Sequence, residues 1–295
     1  MKEEYIKIKS RCDGLELDTK LFIPKGKVLG IVQLSHGMVE DKKYYYDFMK
    51  YLTKNGFVTI IHDHRGHGKS IKDKDDLGYM YEESGNYIVD DLYEVTKYAK
   101  DKFPNKSITL LGHSMGSLIV RCYLKKYDKE IDKLIVCGSP SINNMSKMGL
   151  SICNLFKKIK GDRYRSKFLN KLVLGGDSTN NWLSYDSKYV KEYSEDKNCG
   201  YIFTVNGFIN LMHLMINTYD DNYKVRNKNL NVLFIAGEDD IIIKNKKLWM
   251  KSINHLKEIG YKNMDYILYS RMKHAILNEK EKIKVYEDIL DFIKS

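Results

Sequence analysis

Ile108-Thr109-Leu110-Leu111-Gly112-His113-Ser114-Met115-Gly116-Ser117 is the stretch on which the fold turns. Its first residues read as a short buried strand, and residues 117–127 carry apolar side chains at helical spacing, so the passage predicts strand, abrupt turn, helix. A turn this sharp forces its middle residue, Ser114, into an unfavourable backbone conformation. Glycines two positions to either side keep the backbones from clashing. The serine hydroxyl is thereby presented at the carboxyl edge of a sheet.

The same alternation recurs on both sides. Strands are predicted at 5–9, 15–22, 28–34, 58–62, 108–111, 134–137, 232–236 and 266–269, and helices at 44–54, 87–102, 117–127, 246–259 and 280–293. This is the pattern of an α/β fold, an eight-stranded, mostly parallel sheet with helices on both faces. Residues 24–27 read as a hairpin-like link, so the first strands are expected to be antiparallel. The rhythm breaks over 143–228, too long for a plain connection. A core of 1–142 and 229–295 with a helical cap insertion at 143–228 is expected. Within it Met148, Ile152, Leu155, Phe156 and Ile159 recur at helical spacing, and 157–171 holds seven Lys and Arg against Asp162. Two readings of this basic amphipathic piece stay open: peripheral contact with an anionic membrane, or packing on the core with a solvated face. The apolar run 208–216 is expected to line the underside of the cap.

The 295 residues include 50 Lys and Arg against 39 Asp and Glu, a formal net charge of +11. With 43% hydrophobic and 12% aromatic residues the chain can bury a full core, which excludes intrinsic disorder. No apolar stretch reaches membrane-spanning length and the first residues do not read as a secretion signal, so a soluble, cytoplasmic protein is expected. Cys12, Cys122, Cys137, Cys153 and Cys199 are odd in number and contain no C-x-x-C pair, which argues against a disulfide framework and a thiolate zinc site. A pI near 9.1 would suit nucleic acid. No basic helix, zinc finger or aromatic RNA motif accompanies it, and no nucleic-acid partner is expected.

A hydroxyl at its free pKa is a poor nucleophile and needs a base, itself oriented by a carboxylate. The chain offers both downstream in the order Ser, Asp, His. The strand 232–236 runs into Gly237-Glu238-Asp239-Asp240. Asp240 is the expected acid, with Asp239, one residue away, as the alternative. His274 follows five residues after the strand 266–269. Gln33-Leu34-Ser35-His36-Gly37-Met38-Val39-Glu40 continues the third strand, and the main-chain N–H groups of Met38 and Met115 are the expected oxyanion hole. His36, Gly37, Glu40 and His113 are candidates for bracing that loop or touching substrate. Asp63-His64-Arg65-Gly66-His67-Gly68-Lys69-Ser70, with His62, places three histidines within six residues. The carboxylate partners of a metal site are missing from it, so the expectation is a structural loop packed against the elbow, with no metal.

Together, His36-Gly37-x-x-Glu40, Asp63-His-Arg-Gly-His-Gly-x-Ser70, Gly112-His-Ser-Met-Gly116, Gly237-x-x-Asp240 and His274-x-x-Leu-Asn-Glu279 resemble the α/β-hydrolases that include monoacylglycerol lipases and bacterial lysophospholipases, grouped with the serine aminopeptidases. The likeness spans nearly the whole chain, including Trp182-Leu-Ser-Tyr-Asp186, Tyr193, Asn198-Cys199-Gly200-Tyr201 and Phe203 in the cap. Two positions depart from it: Ser117 stands where a second glycine is more frequent, and no proline follows Asp240. The resemblance implies an α/β-hydrolase fold and a serine hydrolase that cleaves an acyl ester of a monoacylglycerol or lysophospholipid through an acyl-enzyme. The implied triad is Ser114, Asp240 and His274, with no cofactor. A thioesterase or short-chain carboxylesterase is the alternative, and a non-catalytic ligand-binding protein on the same scaffold a distant one. Met145, Met148, Met212 and Met215 are expected to give the cap a face suited to an acyl chain.

Overall fold

The computed structural model describes residues 1–142, 145–174 and 179–295. The expected start of the cap at 143 lies outside the described residues. Strands β1 (Lys2–Lys9), β2 (Glu16–Ile23), β3 (Gly30–Ser35), β4 (Phe57–His62), β5 (Ile108–His113), β6 (Lys133–Cys137), β7 (Asn231–Gly237) and β8 (Asn263–Tyr269) form one sheet in the order β1-β2-β4-β3-β5-β6-β7-β8. β1 pairs antiparallel with β2 and β2 antiparallel with β4, and every pair from β4 to β8 is parallel. The link at 24–27 therefore closes no hairpin, because β4 lies between β2 and β3 and pairs with both. β4 is buried along its whole length, and such a strand needs a neighbour on each side for its backbone groups.

Among the described residues nine α-helices accompany the sheet: α1 (Tyr46–Lys54), α2 (Asn86–Lys102), α3 (Met115–Tyr127), α4 (Ser146–Lys160), α5 (Lys167–Leu174), α6 (Ser187–Glu195), α7 (Val205–Thr218), α8 (Lys246–Ile259) and α9 (Lys282–Lys294). Alternation along the strands divides the core in two. Val32, Leu34, Leu111, Ile135 and Ile235 point to α1 and α9, which supply Phe48, Leu52, Val285 and Ile289. Ile31, Leu110, Leu134, Val232 and Phe234 point to the opposite layer, with Leu92, Leu118, Ile119, Trp249 and Ile253 of α2, α3 and α8. No helix among the described residues is long and apolar enough to cross a membrane.

Helices α4–α7 lie between β6 and β7, with α7 packed against both α4 and α3. The buried positions of α4 are Ser146, Gly149 and Cys153, and Gly149 makes room for the Met212 sulfur of α7. Small residues are thus the fully buried positions. Leu150, Ile152 and Phe156 are half-buried against the core beside them, and Met148, Leu155 and Ile159 fall on the other side. Met148, Leu155 and Ile159 are 50%, 55% and 66% exposed, so the expected stripe is divided, with Ile152 and Phe156 toward the core.

The parallel strands carry their following loops to one carboxyl edge: 36–40 after β3, 63–70 after β4, Ser114 after β5, 138–141 after β6, 238–240 after β7 and 270–275 after β8. A crevice along such an edge is where sheets of this kind bind ligands.

Candidate active site

Ser114 joins β5 to α3 with φ 53° and ψ −120°, outside the allowed regions for an L-residue. What holds it there is close backbone packing. A Cβ on Gly112 would collide with the Gly116 carbonyl, and one on Gly116 with the carbonyls of Ser35 and His36. Ser117, the departure from the usual second glycine, closes the elbow by donating from Oγ to the Ser114 carbonyl at 2.5 Å.

His274 and Asp240 are both buried, and His274 Nδ1 lies 2.9 Å from Asp240 Oδ2. Asp240 Oδ1 accepts from Ile242 N at 2.8 Å, so the carboxylate is fixed on both oxygens. Asp239 lies outside this arrangement, and its Oδ2 accepts from Tyr185 OH at 3.0 Å on the exposed side. His274 Nε2 is buried and has no hydrogen-bond partner among the described residues. His274 and Ser114 line one cavity of about 410 Å3, within the usual range of about 300–1,000 Å3 for small-molecule pockets. Met38, Met115 and Glu40 share that wall. Met115 opens α3, where a main-chain N–H has no intrahelical acceptor. Met38 N is hydrogen-bonded to nothing in the protein among the described residues. Next to it Val39, a β-branched residue, sits at φ 50°, held by Gly200 N and Tyr193 OH on its carbonyl and by its own N–H on His67 Nε2.

Away from the polar end most of the lining is apolar, with Ser141, Asn170, Asn180 and Lys244 among it. Leu118, Ile241 and Ile242 come from the sheet side, and Val173, Leu183, Ile202, Leu211 and Met215 from the α4–α7 segment. The expected Met-rich face is divided by the structure. Met215 lines the cavity, Met212 packs on Gly149, and Met145 and Met148 are on the outside.

Glu40 is buried and ties the 36–40 loop to the base of the elbow. It accepts from Gly37 N at 2.7 Å and Tyr45 OH at 2.6 Å. Tyr45 has one proton, and it goes to Glu40. The 2.7 Å contact between Tyr45 oxygen and His113 Nδ1 therefore has the histidine as donor, and His113 Nε2 donates to the His274 carbonyl at 3.1 Å. With both nitrogens donating, His113 is an imidazolium facing a buried carboxylate. Burial would raise Glu40 and lower His113, but their attraction prevails, bringing Glu40 down to about 2 and holding His113 above its ordinary value.

The histidine-rich loop behaves differently. His36 Nε2 accepts from His64 N and His67 Nε2 from Val39 N, while each Nδ1 donates to a carbonyl. Those lone pairs are occupied by the backbone and unavailable to a metal. Gly66 lies on the Tyr79 backbone and Gly68 on Asp63. The loop packs on the 35–37 turn, which in turn packs on the elbow. Burial lowers His36 to about 4 and His62 and His67 to about 3, and pushes His64 well below its ordinary value. Groups depressed in this way stabilise the fold fully above pH 6.5, and that stability is lost as pH falls toward their folded values. His255 is lowered too and only His113 is raised, so the depressed histidines outweigh it, each that ionises only on unfolding being worth about 1.4 kcal/mol per pH unit. Unfolding free energy from urea titration should drop on the order of 4 kcal/mol between pH 7.5 and 5.5. An unchanged urea midpoint across that interval would refute neutral burial of this cluster.

Sequence reading missed what holds the His274 loop. Glu279 is buried and accepts from Lys273 N and Tyr185 N, both at 2.9 Å, and Ala275 N donates to the Leu183 carbonyl at 2.7 Å. The Trp182 ring lies 5.2 Å from His274. The signal was present as Glu279 and Trp182-Leu-Ser-Tyr-Asp186, but their pairing across about ninety residues leaves no local trace.

A strained strand-to-helix serine, a carboxylate–histidine pair and two free donors at the carboxyl edge of this sheet define the α/β-hydrolases. Residues 26–281 match the serine aminopeptidase S33 family, and the chain belongs to that family of hydrolases. It is 25% identical over 285 residues to a probable lysophospholipase L2 of Haemophilus influenzae, covering 90% of this chain and 83% of that one. It is 28% identical over 130 residues to a monoacylglycerol lipase of Mycolicibacterium smegmatis, a match that spans 44% of either chain. Among solved structures, a thermostable carboxyl esterase from Bacillus coagulans in complex with glycerol superposes with a TM-score of 0.88 at 22% identity, over 100% of this chain and 98% of that one. A monoglyceride lipase from Saccharomyces cerevisiae with a substrate analogue gives 0.77 at 21% identity, over 98% and 94%. At these identities the likeness is one of fold.

Proposed function

We propose that the protein is a serine carboxylic ester hydrolase acting on a monoacylglycerol or lysophospholipid. The observation that carries this reading is the His274–Asp240 pair, with Nε2 unpartnered in the cavity that also holds Ser114. Asp240 keeps the proton of His274 on Nδ1, which leaves Nε2 as the base. Nε2 takes the Ser114 proton as Oγ adds to the ester carbonyl, and the N–H groups of Met38 and Met115 receive the oxyanion. The intermediate collapses, the alcohol leaves with the proton from His274, and water deprotonated by the same nitrogen releases the fatty acid. No step calls for a metal or cofactor. Residues 143–228 act as the cap, with Val173, Leu211 and Met215 against the acyl chain.

The long apolar wall favours an acyl lipid over a short ester, and the names borne by the Haemophilus and Mycolicibacterium relatives agree with that class. The test is fatty-acid release from monoacylglycerol and from lysophospholipid of matched chain length, beside a thioester and a short ester. At least about ten-fold higher kcat/KM for one of the two lipids is expected, a difference of about 1.4 kcal/mol. Preference for the thioester or short ester would reject the lipid reading while keeping the hydrolase.

A further inference from the structure

Fourteen large hydrophobic side chains are exposed among the described residues, and seven of them, from Met145 to Leu172, belong to α4, α5 and their connection. Phe156 bridges the two helices, its ring 5.9 Å from Phe168 and 6.5 Å from Tyr164. Phe168 is 57% exposed and Leu172 50%. A concentration of this kind marks a contact surface. Its charge says what kind. Lys147, Lys158, Lys160, Lys167 and Lys171 are exposed and pair with no carboxylate among the described residues. The nearby Arg163 is engaged with Asp76, Lys157 with Glu83, and Arg165 with main-chain carbonyls. The lone acid of the segment, Asp162, accepts from Tyr79 OH. Two copies of so basic a face would repel each other, whereas an anionic surface with an apolar interior matches both halves.

We propose that the bare face of α4 and α5 docks on an anionic lipid surface, with Leu155, Ile159 and Phe168 entering the apolar layer and the lysines meeting the headgroups. The same short helix connects that surface to the site. Asn170 and Val173 of α5 line the cavity, while Phe168 and Leu172 stand on its outer side. A lipid leaving the surface has one helix width to cross. The inference deepens the lipid-ester reading and rests on it for the purpose of docking, but docking itself is measurable without turnover.

Ser114→Ala protein is floated with phosphatidylcholine vesicles, with and without about one third phosphatidylserine. Binding to the anionic vesicles is expected, falling at least about ten-fold as salt rises from about 0.1 to 1 M and the screening length shrinks from ~10 to ~3 Å. Leu155→Glu with Ile159→Glu, and separately Lys158→Glu with Lys160→Glu, should each lower binding at least about ten-fold. In the Ser114 background, hydrolysis of a soluble ester shows in parallel that both pairs of changes leave the enzyme intact. No flotation at low salt, equal binding to uncharged vesicles, or undiminished binding by the Leu155/Ile159 variant overturns the proposal. So does a dimer in ultracentrifugation that the same variant dissociates, since a second copy would then occupy the face. Flotation by a protein that releases no fatty acid would uphold docking and reject the lipid-ester reading.

Discussion

Ser114→Ala is expected to lower kcat for ester hydrolysis by about 10^6-fold, the scale on which a nucleophile acting as one unit with its base is lost. The side chain is small and lies outside the hydrophobic core, so melting temperature should hardly move. The hydroxyl can be removed without touching the backbone packing of Gly112 and Gly116 that sets the elbow. A fluorophosphonate probe should label wild type once per chain and leave the alanine variant unlabelled. If the variant kept more than about one hundredth of wild-type activity, Ser114 would not be the nucleophile.

Asp240→Asn should cost about 10^4-fold in kcat near neutral pH. The argument is one of tautomers. Asp240 Oδ2 accepts the Nδ1 proton of His274 at 2.9 Å. An amide NH2 in that place would donate instead, moving the imidazole proton to Nε2, where it blocks acceptance from Ser114. Asp239→Asn, by contrast, changes a group bonded to Tyr185 on the exposed side and should leave kcat within about two-fold, the scale of a surface substitution. Comparable losses in the two variants would discard Asp240 as the orienting acid.

Much of the architecture is legible in the chain because parallel strands buried on both faces are near-continuous apolar runs. All eight strands lie at the expected positions, within a few residues at their ends. Their order is another matter: nothing in residues 24–27 says that β4 will enter between β2 and β3. The one-residue choice between Asp239 and Asp240 is equally invisible, since both follow β7 and they part only through the turn that joins Asp240 N to the Gly237 carbonyl. Periodicity found the apolar stripe of α4 but could not orient it. The fully buried positions are Ser146, Gly149 and Cys153, whose small size suits close helix approach and adds little to a hydrophobic pattern, and of the stripe only Ile152 and Phe156 turn toward the core. His113 and Glu40 stand out as motif letters, while their charge states follow from Tyr45, which no motif contains.

The bonds from 183–185 to Ala275 and Glu279 bear on how substrate range can be re-engineered. Exchanging segments between relatives is attractive when cavity walls reside in an insertion, as Val173, Leu211 and Met215 do here. Yet the insertion also supplies the carbonyl and amide that seat the His274 loop, so a wholesale transplant would change the cavity wall and unseat His274 in one stroke. Chimeras should keep residues 182–186 with their native Glu279 and vary only the helices on either side. The boundary that matters for such grafts is drawn by hydrogen bonds to the histidine loop, and it falls inside the insertion.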